Sequence, residues 1–249
     1  MRKLSLSLAA AALLMAREPE TAAIPAQKCT VGDRVSHDET HKENVAAFRM
    51  AKTCVTNEEY KRFVDEAGYA PPERNSLGGD HRLWNGREFP PEIARQPVVN
   101  VSWKDAVAYC SWLAKKTGKP YRLPTEEEWE IAARGGLKGK QYPWGDAVDK
   151  KKAWYGGKWA GVQTLQPVDY GEANSYGLFG MAGNVWQWVD DWYVPTFNGR
   201  PVEEELKLFK AIRGGSWSND DGFLKVNYRN SHPPDFKDFF VGFRVALSQ

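Results

Sequence analysis

Three stretches of the chain repeat apolar residues at helical spacing, and each opens on a hydroxyl residue followed three positions later by an acid. In "TNEEYKRFVDEAG" Thr56 and Glu59 stand before a face of Tyr60, Phe63 and Val64, and Gly68 ends the run. "SWKDAVAYCSWLAKKTG" repeats the arrangement with Ser102 and Asp105, then Ala106, Val107, Cys110 and Leu113, and stops at Gly118. "TEEEWEIAARGG" does so with Thr125 and Glu128, then Trp129, Ala132 and Ala133, before Gly135 and Gly136. The hydroxyl accepts a bond from an orphan N–H of the first turn and the acid reaches back, so each pair predicts a helix start worth about 1 kcal/mol.

Beyond residue 136 the helical period disappears, and "YPWGD", "YGGKW", "NSYGLFG" and "RGGSW" punctuate the chain with glycine and aromatic residues. Partial alternation predicts short strands within "GNVWQWVDDWY", "LKLFKAIRGGSW" and "VGFRVAL". "DKKK" at 149–152 and "PVEEELK" at 201–207 read as charged surface loops. There is no internal repeat and no linker, so residues 24–249 are expected to form one domain.

Composition sharpens this picture. Eleven tryptophans and 22 glycines in 249 residues point to an irregular, loop-rich α+β fold held by aromatic packing. A net charge of +2, with both signs interspersed, gives no case for nucleic acid. The start, "MRKLSLSLAAAALLMA", places a basic segment before an apolar run from Leu4 to Ala16, too short to span a bilayer. It predicts a signal peptide over residues 1–23, with Thr21, Ala22 and Ala23 as the small-residue cleavage signal, and hence a periplasmic or secreted protein free of the membrane after cleavage; a frayed cytosolic N-terminus is the alternative. The cysteines are Cys29, Cys54 and Cys110, an odd count that allows at most one internal disulfide.

In their order, "RLPTEEEWEIAARGG", "YPWGD", "NSYGLFGMAGNVWQWVDDWY", "RGGSW" and "GFRVA" resemble the formylglycine-generating enzyme, or sulfatase-modifying factor, family. "IPAQKCTVG" is similar to the family's opening strand, "KTCVTNEEYKRFV" to its first helix entry and "PVVNVSWKDAVAYCSWL" to its second, so the resemblance covers nearly the whole chain after the leader. It implies the family's complex, C-type-lectin-like α+β fold with little regular secondary structure. On this reading Trp186, Trp188 and Trp192 belong to the core, and Arg134 and Arg244 are buried arginines bonding carbonyls or carboxylates.

The chemistry that the resemblance implies is interrupted in this chain. The family's oxidases hold copper(I) on two cysteines after the "RGGSW" turn, and here those positions are Asn219 and Leu224. Its calcium ligands correspond to Gly180 and Gln187 at one site, with carbonyls of Gly183 and Val185, and to Ala153 and Ala160 at the other. No metal or other cofactor is therefore expected. Cys110 matches a family cysteine whose partner position is Val245, so it reads as a buried free thiol. Cys29 and Cys54 lie outside the family's usual cysteines, on early strands read as adjacent, and a disulfide between them is expected.

What the turn presents is then Ser216, Trp217, Asn219, Asp220, Asp221, Tyr228, Arg229 and His232. The set reads as a binding surface for a partner protein or small-molecule ligand. Two readings stand for its acids: Asp220 or Asp221 as general base with His232 as acid, or a solvated acidic loop. "HDETH" at 37–41 either gathers His37 and His41 or is a surface loop, and His81 has no metal-ligand neighbour in sequence. No phosphate loop, serine triad order or zinc spacing is present. Three functions fit: an exported accessory or maturation protein, in a siderophore or copper nitrite reductase setting; a cofactor-free oxidoreductase or tautomerase; and a ligand-binding protein diversified by a retroelement.

Overall fold

The computed structural model describes residues 18–32, 41–72, 82–194 and 203–248. All three expected helices form: α1 (Asn57–Ala67), α2 (Trp103–Thr117) and α3 (Glu126–Arg134). Each begins at the expected hydroxyl, with the reciprocal bonds between cap and acid both made, and each ends at a left-handed glycine: Gly68, Gly118 and Gly135. Glycine takes the left-handed conformation that closes the last turn without the local backbone strain a side chain would add, so the stop is local chemistry.

The strands are β1 (Thr21–Ile24), β2 (Gln27–Val31), β3 (His41–Val45), β4 (Phe48–Ala51), β5 (Tyr121–Arg122), β6 (Trp186–Trp192), β7 (Lys210–Arg213), β8 (Arg229–His232), β9 (Val241–Phe243) and β10 (Ala246–Ser248). They form a four-stranded sheet in the order β1-β4-β10-β5, a ribbon of β2 and β3, and a second four-stranded sheet in the order β8-β7-β6-β9. Pairing is antiparallel throughout, except that β6 runs parallel to β9. "VGFRVAL" is thus two strands, and the chain crosses from one large sheet to the other at Arg244 and Val245. The expected α+β class, with few helices and short strands, is what the structure shows.

The second sheet carries the candidate site, and helices cover both of its faces. On one face Trp188 donates its indole N–H to the Val101 carbonyl ahead of α2, and Trp103 of α2 donates to the Val189 carbonyl. On the other face Trp129 of α3 donates to Gln187 at 2.8 Å. Trp129, Trp186 and Trp188 are fully buried, as expected, whereas Trp192 stays half-exposed. Burial of three indoles in a small sheet-and-helix sandwich replaces the long periodic elements that the chain lacks.

α3 is tied to this sheet by charge. Arg213 donates to Glu126 at 2.9 Å and to Glu130 at 2.8 Å, and Arg229 donates to Glu126 at 2.6 Å. All four are buried, so the pairs fix the helix in register at a desolvation cost that their bonds offset. Arg134 bonds the Glu130 carboxylate and the Lys140 carbonyl, as expected, but is only partly buried. Arg244 is fully buried and bonds the carbonyls of Ala51, Phe179 and Gly180, the role expected for it.

Two expectations about the N-terminal region meet the structure here. Residues 21–23, read as the cleavage signal, lie in β1 and pair with β4 in the register Thr21↔Ala51. Cys54 is a free, buried thiol beside the Arg244 guanidinium at 3.8 Å, so the expected Cys29–Cys54 bridge is corrected. The reason is topological: Cys29 is in β2, which pairs with β3, while Cys54 follows β4, which lies between β1 and β10. Cys110 is a buried free thiol. Residues 33–40 and 73–81, which hold His37 and His81, lie outside the described residues.

Candidate functional site

The turn between β7 and β8 is built on Gly214 and Gly215, with φ of 100° and 71°. A Cβ on Gly215 would stand 2.8 Å from Leu224 and 2.9 Å from the Phe223 carbonyl, so only glycine fits this close approach. The turn is pinned from below: Gly183 donates to the Gly214 carbonyl and Trp217 to the Asn184 carbonyl. From the side, Gly157 donates to the Trp217 carbonyl at 2.7 Å and Gly156 to the Asn219 carbonyl at 2.8 Å.

The residues read as presented divide into two groups. Ser216, Trp217 and Arg229 are buried, so they build the turn. Trp217 packs in a three-ring cluster with Trp159 and Phe239, and Arg229 belongs to the buried pairs of α3. Asn219 is half-buried, and its Oδ1 accepts from both the backbone N–H and the hydroxyl of Ser216, at 2.9 and 2.8 Å. Asp220 and Asp221 are exposed, and Tyr228 and His232 are half-exposed.

Tyr228 stands on an aromatic floor, 4.8 Å from the Phe223 ring and 6.0 Å from Trp186. Burial raises its hydroxyl above the usual tyrosine range, and the neighbouring Tyr193 and Asp220 add to the shift, so the phenol stays protonated. His232 stacks on Phe236 with centroids 3.8 Å apart, and burial lowers its pKa, which leaves a neutral imidazole near pH 7. The ladder sets the distance between these groups. Arg229 pairs with Arg213 at the turn end of β8, and His232 pairs with Lys210 at the far end. Three strand steps separate the two ends, about 10 Å. Tyr228 therefore neighbours Asp220, whereas His232 stands at the other end of β8 from the turn that carries Asp220 and Asp221.

A residue that the sequence reading passed over lies opposite His232. Lys210 is buried, with its ammonium 4.0 Å from the Trp103 ring centroid and 4.1 Å from that of Trp192. It donates to the Asp190 carbonyl at 2.7 Å, and burial holds its pKa below the usual lysine value. Two ring faces, one carbonyl and the Asp190 carboxylate at 3.9 Å offset the desolvation of the charge. The signal was present: Lys210 and Ile212 share one face of the alternating "KAIR" strand, and a lysine at a core-facing position needs such a cage.

Residues 10–249 match the sulfatase-modifying factor enzyme 1-like domain family. The chain belongs to this family. It is 33% identical over 262 residues to the formylglycine-generating enzyme of Streptomyces coelicolor, covering 83% of this chain and 80% of that protein. It is 40% identical over 166 residues to the inactive C-alpha-formylglycine-generating enzyme 2 of Mus musculus, covering 61% of this chain and 49% of that one. Among solved structures, PvdO from Pseudomonas aeruginosa superposes with a TM-score of 0.78 at 29% identity, over 93% of this chain and 95% of the other.

Within this sulfatase-modifying-factor fold, the positions that resemble the copper-binding cysteines do not fit copper(I). Leu224 has no exposed surface and packs with Tyr142, Ala153 and Ala182. Asn219 offers a hard amide oxygen already engaged by Ser216, where a soft ion selects thiolates. The calcium positions fit no better. Gln187 Oε1 accepts from Trp129 and from Arg244, and its amide donates to the Gly180 carbonyl at 2.8 Å. The Arg244 guanidinium also reaches that carbonyl, so a fixed organic cation and a neutral amide surround it, with no carboxylate among these residues. Ala153 is buried in the Leu224 cluster and Ala160 is an exposed loop residue, and neither has a ligand atom in its side chain.

Proposed function

We propose that this member of the sulfatase-modifying factor family lacks sulfatase-cysteine oxidase activity and acts as an exported accessory or maturation protein. The observation that supports it is the treatment of the two metal positions. Leu224 is packed into the core and Asn219 is used to brace the turn. The scaffold has kept the turn and given its reactive positions to packing. Similarity to a relative described as inactive is in keeping with this reading.

The working surface on this proposal is the exposed side of the turn with the start of β8: Asp220, Asp221 and Tyr228, with His232 at its far end. A protonated phenol over an aromatic floor suits a planar or extended group on a partner protein or small molecule, held by stacking and one donor hydrogen bond. Export would place the encounter in the periplasm or outside the cell.

The test is complementation of a strain lacking the gene. Asp220→Ala and Tyr228→Phe, which keeps the ring packing and removes the phenol donor, should melt with the wild type yet fail to restore the phenotype. Full restoration by both stable variants would contradict the placement of the surface.

A further inference from the structure

A second cleft, of about 550 Å3, lies between the β2–β3 ribbon and the loop that follows α3, and none of its lining residues comes from the turn or from β8. Its volume is in the range of small-molecule sites. Its character is cationic, which is unexpected in a chain whose net charge is only +2.

The ladder explains how the charge is gathered. Register pairs Lys28 with Asn44 and Thr30 with Lys42, so these four polar side chains share one face of the ribbon. Lys28 and Lys42 are diagonal neighbours across the two strands, a spacing of roughly 7–8 Å at which like charges oppose each other. Lys138 joins them from the loop after α3. All three are exposed, and among the described residues none has an acidic partner. Elsewhere the surface lysines are commonly paired, as Lys61 is with Asp65 and Glu88, Lys104 with Asp235 and Lys140 with Asp146. Glu43 is the one acid among the lining residues, and it is opposite Cys29, on the other face of the ribbon from Lys42.

Two further features bear on what would fit. Arg134 also lines the cleft, but Glu130 takes two of its N–H groups, so the guanidinium braces the wall and adds little free charge. Leu137, half-exposed, supplies apolar surface beside the lysines, with the buried Ile131 behind it. The loop backbone contributes donors as well: among the described residues, no acceptor engages the N–H groups of Lys138 and Gly139. Unopposed ammonium groups, free backbone N–H groups and an apolar wall together suit one ligand chemistry.

We propose that this cleft binds a small organic anion, with a phosphate or carboxylate group held by Lys28, Lys42 and Lys138 and a flat apolar body laid against Leu137. The site is independent of the turn surface, so it stands or falls apart from the accessory role.

Calorimetric titration of the whole protein at low salt, with phenyl phosphate, phthalate and inorganic phosphate, tests it. Saturable one-to-one binding of phenyl phosphate or phthalate is expected, tighter than that of inorganic phosphate and weaker as salt is added. Which of the two organic anions binds more tightly distinguishes a phosphate from a carboxylate ligand. Lys42→Glu/Lys138→Glu should weaken it at least about tenfold with an unchanged melting temperature, while the remote exposed Lys158→Glu should bind as the wild type does. No saturable binding at millimolar concentration, or equal binding by the double variant, would overturn the proposal.

Discussion

The Nε–H of Arg244 lies 2.7 Å from the Oε1 of Gln187, and both side chains are fully buried. The same oxygen accepts the Trp129 indole N–H at 2.8 Å, so one amide joins α3, β6 and the crossing between the two large sheets. Removing it strands two buried donors, each costing about 1–3 kcal/mol. Gln187→Ala is therefore expected to lower stability by roughly 3 kcal/mol in denaturant unfolding. Because no carboxylate stands at this site, millimolar calcium should leave the wild-type melting temperature unchanged, and a calcium-dependent rise would show that the carbonyls alone hold the ion.

The core and the turn should separate cleanly under mutation. Trp188 is fully buried, and Trp188→Ala should cost about 3–5 kcal/mol. Gly215→Ala forces a Cβ into Leu224 and the Phe223 carbonyl at a positive φ and should destabilise by about 1–3 kcal/mol. Asp220→Ala, at an exposed position, should stay within about 0.5 kcal/mol of the wild type. Thermal unfolding of the three variants checks the order.

Much of the scaffold was legible because its signals are local. Helix α1 could be read from Thr56, Glu59 and Gly68 alone, since a cap bond and a left-handed stop involve neighbours in sequence. The site was less legible because burial is decided at a distance. Ser216, Trp217 and Arg229 sit among exposed-looking turn residues, but Asn219, Phe239 and Glu126 bury or bond them. The Cys29–Cys54 pairing failed for the same reason, since strand order is set by long-range partners that spacing does not encode. Lys210 was missed because its cage comes from Trp103 and Trp192, one on a helix and one on a strand.

Asp191 makes stability depend on pH. Its carboxylate accepts the Glu126 N–H at 2.6 Å at the start of α3, while burial and then the charges of Glu127 and Glu126 push its pKa up to about 7. A carboxyl raised above its unfolded value stabilises the fold when protonated, and that contribution is lost as pH rises through the folded pKa. Stability from this group should thus decline between about pH 4 and pH 7. Asp191→Asn keeps an acceptor without the charge, so its denaturant midpoint should fall less over this interval than that of the wild type. An unchanged slope would remove Asp191 as the source.

Both described thiols should be free yet slow to react. Burial raises the pKa of Cys54 and of Cys110, which keeps each as the unreactive thiol. Alkylation without reductant should label neither in the native protein and both after denaturation, as peptide mass mapping would show. A Cys29–Cys54 crosslinked peptide would contradict the structure.

The central claim is that the turn has lost the chemistry of the family's oxidases while keeping their scaffold. Incubating the purified protein with copper(I), oxygen and a peptide carrying a sulfatase cysteine motif tests this most directly, with aldehyde formation followed by hydrazide capture and mass spectrometry. With Asn219 and Leu224 in place of thiolates, the peptide should return with its cysteine intact and no aldehyde above the protein-free control. Copper-dependent, catalytic conversion of that cysteine to an aldehyde would contradict the account.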